Sequence, residues 1–229
     1  MKKSCFLAPV HEAKFNYAIE LIKSYNNYFD DSDIYLVFSS KEEEDKFKEL
    51  SQNLKYNSII YEDEYVEGII TSKKYYGLNY LFSNTHFENV AVIDVDTLFT
   101  DFKDYDQMFT DYNNDIVIYA NRTKYGDGIV QSCYKFFNEE DKQKIKETTK
   151  DNYFWFNEVP IYHKEKFLEF VNYIDYQNRY KELTWQNFDF VIYGYFLVLK
   201  SYAKFAIFNT ECNWSFICAS SLNKNNSKG

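Results

Sequence analysis

Glycine and proline are scarce in this 229-residue chain, at six and two residues. A glycine-rich phosphate loop behind the first apolar run is excluded, because that stretch reads "APVHEAK" (8–14) and holds no glycine. Cysteine is sparse too. Cys5, Cys133, Cys212 and Cys218 form no C-x-x-C pair, which excludes a zinc knuckle and a thioredoxin motif. Dispersed cysteines of this kind are expected as reduced thiols, and hence a cytoplasmic setting. No run of 18 apolar residues exists to cross a membrane, and the opening apolar run stops at Val10, too short for a secretion signal. A basic stripe is missing: the net charge is −9 and the isoelectric point about 4.9, so nucleic acid is not an expected partner. "HEAKF" (11–15) is not the H-E-x-x-H of a zinc protease, since Phe15 stands where the second histidine belongs.

What the chain has in abundance is aromatic residues, 21% in all with 23 Tyr and 22 Phe. Together with much Asn and Lys they reflect an AT-rich coding bias as much as any physical need, so single aromatics are not read as binding sites. Hydrophobic residues at 45% and charged residues at 27% fit a soluble globule with one sizeable core.

Periodicity gives the organisation. Residues 4–10 read as a short buried strand. Phe15, Ala18, Ile19, Ile22, Tyr25 and Phe29 follow at helical spacing. "IYLVFS" (34–39) is a second strand, after which Ser40 caps a polar helix with glutamates in its first turn. "NSIIY" (57–61) is a third strand, the acidic "EDEYVEG" (62–68) a loop, and 72–82 a helix capped by Thr71. Residues 90–93 form a fourth strand and 115–121 another; "KYGDG" (124–128) is a turn. Helices are expected at 138–151 and 164–174, and an extended segment at 153–163. Residues 185–202 fit a long helix or a helix–strand pair, with Gly194 leaving the middle open. The rhythm predicts an α/β fold with a mostly parallel central sheet, in one domain over 1–219, and a disordered tail at 220–229. Ligands of such sheets lie beyond the carboxyl ends of the strands.

At that edge stands "NVAVIDVDTLF" (89–99). Four apolar residues, Val90 to Ile93, predict a strand buried on both faces, and Asp94 and Asp96 end it. Residues two apart in a strand share a face, so both carboxylates are expected to reach one ligand. Hard oxygens of this kind suit Mn²⁺ or Mg²⁺ bridging to a diphosphate.

This segment resembles the D-x-D stretch of GT-A-fold glycosyltransferases, which use nucleotide sugars. "CFLAPVHEAKFNYAIELIKSY" resembles their first strand and helix, and "SKKYYGLNYLF" the helix before the D-x-D. The resemblance covers roughly residues 4–120 and is nearest to small bacterial transferases that build lipooligosaccharide or capsule. It implies a Rossmann-like GT-A domain, its nucleotide-sugar half at about 1–120 and a smaller acceptor-side half at about 121–219. It implies a nucleotide-diphosphate sugar donor, a glycan or glycolipid acceptor, and a cytoplasmic protein peripheral to the inner membrane. Asp96 would bind the metal directly, and Asp94 the ribose or the metal through water. Pro9, Val10 and His11 would line the nucleotide, with Ser39 near the base or ribose. Where related helices carry an Arg in a "YYRL"-like run, this chain has Gly77, so Lys73 is expected to supply the cation, with Lys74 as the alternative. For the acceptor base the candidates are Asp189 in "TWQNFDF", then Glu158 in "FWFNEVPIY", with Trp185 and Tyr193 holding the acceptor. His163 is a candidate third metal ligand.

Three rivals are weighed. In a haloacid-dehalogenase-type phosphatase the threonine falls two residues after the second Asp, whereas here Thr97 is adjacent to Asp96, and 93 residues precede Asp94. A sugar-phosphate nucleotidyltransferase would carry the glycine loop that is missing. A non-catalytic nucleotide- or glycan-binding domain would need neither metal nor turnover.

Overall fold

The computed structural model describes residues 3–31, 33–99, 105–120, 127–149, 160–207 and 216–218. The first half alternates as expected: β1 (Ser4–Pro9), α1 (Phe15–Tyr28), β2 (Ile34–Phe38), α2 (Lys41–Leu50), β3 (Asn57–Ile60), α3 (Ile69–Asn84) and β4 (Asn89–Val92). There follow β5 (Thr97–Phe99), α4 (Tyr105–Asn114), β6 (Val117–Ala120), α5 (Asp127–Cys133) and α6 (Glu139–Thr149). The chain continues through β7 (Ile161–His163), α7 (Lys164–Tyr173), α8 (Tyr176–Arg179), α9 (Asp189–Leu199), β8 (Lys204–Ile207) and β9 (Phe216–Cys218).

The main sheet has the order β3-β2-β1-β4-β7. Its first four strands are parallel, and β7 closes the edge antiparallel to β4. Two smaller pairs form, β5 with β9 and β6 with β8; of their strands β6 was expected, within 115–121, and the other three were not. Those three are three or four residues long, too short for a period of two to stand out.

Both faces of the sheet are covered, which is why β1 and β4 are apolar without alternation. Cys5, Leu7, Val37, Ile59, Val90 and Val92 face a core shared with α3, α7 and α9. Phe6, Ala8, Ile34, Leu36, Phe38, Ala91 and Ile93 face the other way, onto α1 and Phe47 of α2. Each large side chain so buried contributes about 1.5–3 kcal/mol. Cys5 and Cys133 are buried free thiols.

α3 is buried nearly all round because it lies between the sheet and the α7–α9 layer. At Gly77 a Cβ atom would fall 2.8 Å from Val37 Cγ2 and 2.9 Å from Leu7 Cδ1. The helix rests directly on β1 and β2 there, so no Arg fits at the position the "YYRL" comparison assigned. The helix also begins earlier than Ser72. Gly68 is its N-cap, and Thr71 lies inside it, donating its hydroxyl to the Asn187 carbonyl at 2.5 Å. Gly68 allows a close approach: a Cβ would lie 2.7 Å from Leu183 Cβ, and its N–H donates to the Leu183 carbonyl at 3.0 Å.

The open choice over 185–202 resolves as one helix, α9, with Gly194 in its middle and apolar residues on every side. Such a helix belongs inside a core. Its Tyr193 stacks on Tyr162 at a centroid distance of 4.6 Å and meets Phe170 edge-on. Tyr193 is therefore core, not acceptor surface. Among the described residues no helix is long and apolar enough to cross a membrane.

Candidate active site

The parallel order brings the carboxyl ends of β1, β2 and β4 to one edge. Along β4 the even positions, Val90 and Val92, face α3. Asp94 continues that parity, and its carboxylate meets Lys74 of α3 at 3.1 Å. The strand itself stops at Val92. Asp94 opens a tight turn whose Thr97 N–H donates to the Asp94 carbonyl at 3.0 Å, and β5 starts at once. The two carboxylates thus belong to a turn rather than to one strand face. Asp94 is 64% exposed and Asp96 half-buried.

Lys74 is the cation of this edge. Its ammonium is buried between Asp94 and Asp189, 2.9 Å from the latter. Burial alone would lower its pKa, but the charges of Asp189 and Asp94 outweigh that and hold it above the ordinary lysine range. Asp189 is only 1% exposed and opens α9, where the helix dipole favours an anion. One of its oxygens takes Lys74; the other accepts the Tyr162 hydroxyl from β7 at 2.5 Å. Its carbonyl accepts the Tyr75 hydroxyl at 2.8 Å. Burial first, and then the Asp189 charge, push the Tyr162 pKa well up, so it remains a donor. Asp189 ties α3, β7 and α9 together, buried and with both oxygens engaged inside the protein.

Lys73 points elsewhere. Its ammonium donates to the Val10 carbonyl at 2.5 Å and lies 3.6 Å from Glu43. Burial lowers its pKa, and the Glu43 carboxylate works against that. Both lysines are buried rather than solvated, and of the two it is Lys74, not the expected Lys73, that reaches Asp94.

The other expected residues divide. Pro9 and Val10 are buried at the end of β1, with the Val10 N–H bonded to the Val37 carbonyl at 2.9 Å. His11 is exposed, its Nδ1 accepting the Ala13 N–H at 3.2 Å to cap the short turn at 12–14. Ser39 is exposed beside Ser40, which caps α2 as expected. His163 is not at this edge: it pairs with Asn89, at the opposite end of β4 from the aspartates. A metal ligand there is separated from Asp94 by the length of the strand. Trp185 is 67% exposed on the loop before α9. Glu158 and the 220–229 tail lie outside the described residues.

Glu43 and Tyr162 were missed. Ser40-x-x-Glu43 is a capping-box spacing and was visible; Tyr162 gave no local signal.

Two carboxylates in one turn are donors of the kind a divalent ion takes. Asp94 and Asp96 place two hard carboxylates in one turn, and among the described residues no group of three His, Cys, Asp or Glu surrounds them. Mg²⁺ is held in this way by one or two carboxylates together with substrate phosphates. The pair suits an ion that binds along with a diphosphate better than one resident alone.

No protein-family model matches the sequence, and no curated protein matches it. Solved structures do. The fold is similar to core-mannan synthase A of Aspergillus fumigatus in its manganese/GDP form, with a TM-score of 0.53 at 10% identity over 91% of this chain and 73% of that one. Mouse xyloside xylosyltransferase 1 matches at a TM-score of 0.47 and 12% identity, over 92% and 88% of the two chains. The galactosyltransferase LgtC, with donor and acceptor sugar analogs, matches at 0.45 and 14%, over 90% and 73%. The chain has the α/β fold of the GT-A glycosyltransferases.

Proposed function

We propose that this chain is a glycosyltransferase that moves a sugar from a nucleotide-diphosphate donor to a hydroxyl acceptor at the β1–β2–β4 edge. One observation carries the reading. The turn that ends a fully buried central strand presents an exposed carboxylate, Asp94, held by a buried ammonium, Lys74, with Asp96 in the same turn. A non-catalytic scaffold has no need of a buried cation aimed at an exposed carboxylate. The GT-A fold and the manganese/GDP form of core-mannan synthase A support it.

In transfer, the bond from the anomeric carbon to the diphosphate breaks and one to the acceptor oxygen forms, through an oxocarbenium-like state. Asp94 and Asp96 would hold Mn²⁺ or Mg²⁺, which, when bound with the donor, offsets the charge of the leaving diphosphate. Lys74 remains an ammonium at this edge and adds a fixed positive charge beside it. Asp189 and Tyr162 hold Lys74 in place. This makes Asp189 an anchor and leaves Glu158 as the candidate acceptor base if the enzyme inverts. Trp185, exposed on the loop leading into α9, suits stacking against an acceptor sugar. The resemblance of residues 4–120 to small bacterial transferases supports a lipooligosaccharide or capsule acceptor, and with it a cytoplasmic protein peripheral to the membrane.

The nucleotidyltransferase alternative is disfavoured by the end of β1. The Val10 N–H and carbonyl are both engaged within the protein, so no row of free amides cradles a phosphate.

The test is a thermal-shift and hydrolysis screen of UDP-, GDP- and dTDP-sugars with and without Mn²⁺. A donor that binds the native state raises the melting temperature, and more so with Mn²⁺. Asp96→Asn is expected to cut Mn²⁺-dependent hydrolysis at least about 100-fold. If no sugar nucleotide binds or turns over, the reading fails.

A further inference from the structure

The same carboxyl edge of the sheet, at its β1–β2 part, holds a second buried ion pair. Glu43, in the first turn of α2, is buried, and its two oxygens accept from two different loops. Oε1 takes the Glu12 N–H at 2.8 Å, just beyond β1; Oε2 takes the Ser39 N–H at 2.6 Å, just beyond β2. Lys73 comes in from α3 at 3.6 Å and donates to the Val10 carbonyl at 2.5 Å. Four elements therefore meet on two side chains. In an ordinary capping box the glutamate would turn back to the N–H of its own cap, Ser40. Here it reaches past Ser40 to the strand ends.

Three backbone groups are fixed in this way: Val10 O, Glu12 N and Ser39 N. They border the exposed positions His11 and Ser39. Val10 is buried and apolar, so beside the His11 and Ser39 side chains it is the backbone shape of these strand ends that would receive a planar base and ribose.

We infer that Glu43 and Lys73 are positioning residues for the nucleotide half of the donor site, holding the ends of β1 and β2 in the shape that receives the nucleoside. This rests on the glycosyltransferase reading. The pair touches the strand ends from below and takes no part in bond breaking. Its loss therefore weakens donor binding and leaves turnover at saturation intact.

The two residues are not equivalent. Glu43→Gln keeps the shape, but its amide nitrogen cannot accept an N–H, so one strand end is released and Lys73 loses its counter-charge. Lys73→Met leaves Glu43 bonded to both amides, a smaller lesion. Glu43→Gln with Lys73→Met removes the unpaired ammonium, so stability recovers while the strand end stays loose.

The experiment measures donor KM, kcat and melting temperature for the wild type, Glu43→Gln and the double variant. It uses the full chain with Mn²⁺ and whichever UDP-, GDP- or dTDP-sugar is turned over, at a temperature where circular dichroism shows each variant folded. Glu43→Gln is expected to raise KM about 10-fold with kcat within about 3-fold, and the double variant to regain melting temperature but not KM. If KM returns to the wild-type value along with the melting temperature, or if kcat falls while KM holds, the inference is overturned and the transferase reading stands. If the wild type binds and turns over none of these donors, both fall together.

Discussion

Lys73 and Lys74 are sequence neighbours, both buried, yet they serve opposite parts of one sheet edge. At the β1–β2 end the buried pair is spent inside the protein: Lys73 and Glu43 hold each other and three backbone groups. At the β4 end the chain of contacts runs outward, from Tyr162 through Asp189 and Lys74 to an exposed Asp94. The first end is a finished scaffold. The second is anchored on its inner side and open on its outer side, which is where a charged ligand would be met. Two adjacent lysines on one helix thus separate shape from chemistry.

This contrast can be broken most severely at Lys74. Lys74→Met leaves Asp189 buried without its counter-ion and is expected to lower stability by about 3–5 kcal/mol, read by urea unfolding. If the loss is below about 1 kcal/mol, the chain through Asp189 is not held as the geometry indicates. Tyr162→Phe removes only the second hydrogen bond to Asp189, a bond to a charged group, with an expected loss of about 1.5–3 kcal/mol in the same assay. Gly77→Ala probes the surface between the two ends. The methyl group would press on Leu7 and Val37, and part of that strain is offset by better helix propensity, so a net loss of about 1 kcal/mol is expected. A gain in stability there would show that α3 has slack against the sheet.

The smallest effect lies at Glu44, which neighbours Glu43 but faces the outer edge. Burial raises its pKa, yet bonds from Lys41, Lys48 and Ser58 overcome this and bring it from 4.5 to about 2. The folded pKa is thus depressed. The stability this group contributes is fully present above about pH 4.5 and is lost as pH falls toward 2. Thermal melts between pH 5 and 2 should be flatter in Glu44→Gln than in the wild type, with donor KM at neutral pH unchanged. A rise in KM equal to that of Glu43→Gln would erase the distinction between the two glutamates.

Much of the first half was legible. Strands were visible where apolar runs are long enough, and Ser40 announced the start of α2. The D-x-D after a buried run pointed to the ligand edge. Its form was misread, because a carboxylate pair at alternate positions looks the same in a strand and in a turn; only the Thr97-to-Asp94 hydrogen bond distinguishes them. Asp189 looked like a base because aromatics precede it. What decides its role is Tyr162, 27 residues earlier in the chain, and no sequence window connects the two.

The sequence by itself determined the order of strands and helices, the two-sided burial of β1 and β4, and the delivery of Asp94 and Asp96 to the sheet's edge. These follow from local pattern: apolar run length, capping residues and charge. Tertiary structure alone decided which lysine meets Asp94, that Gly77 is filled by the sheet rather than by a cation, and that His163 belongs to the far end of β4. Successive residues on a helix are turned by about 100° from each other, so neighbours as alike as Lys73 and Lys74 part ways according to how the helix is seated. That seating is set by packing against β1, β2 and α9, distant in sequence from both.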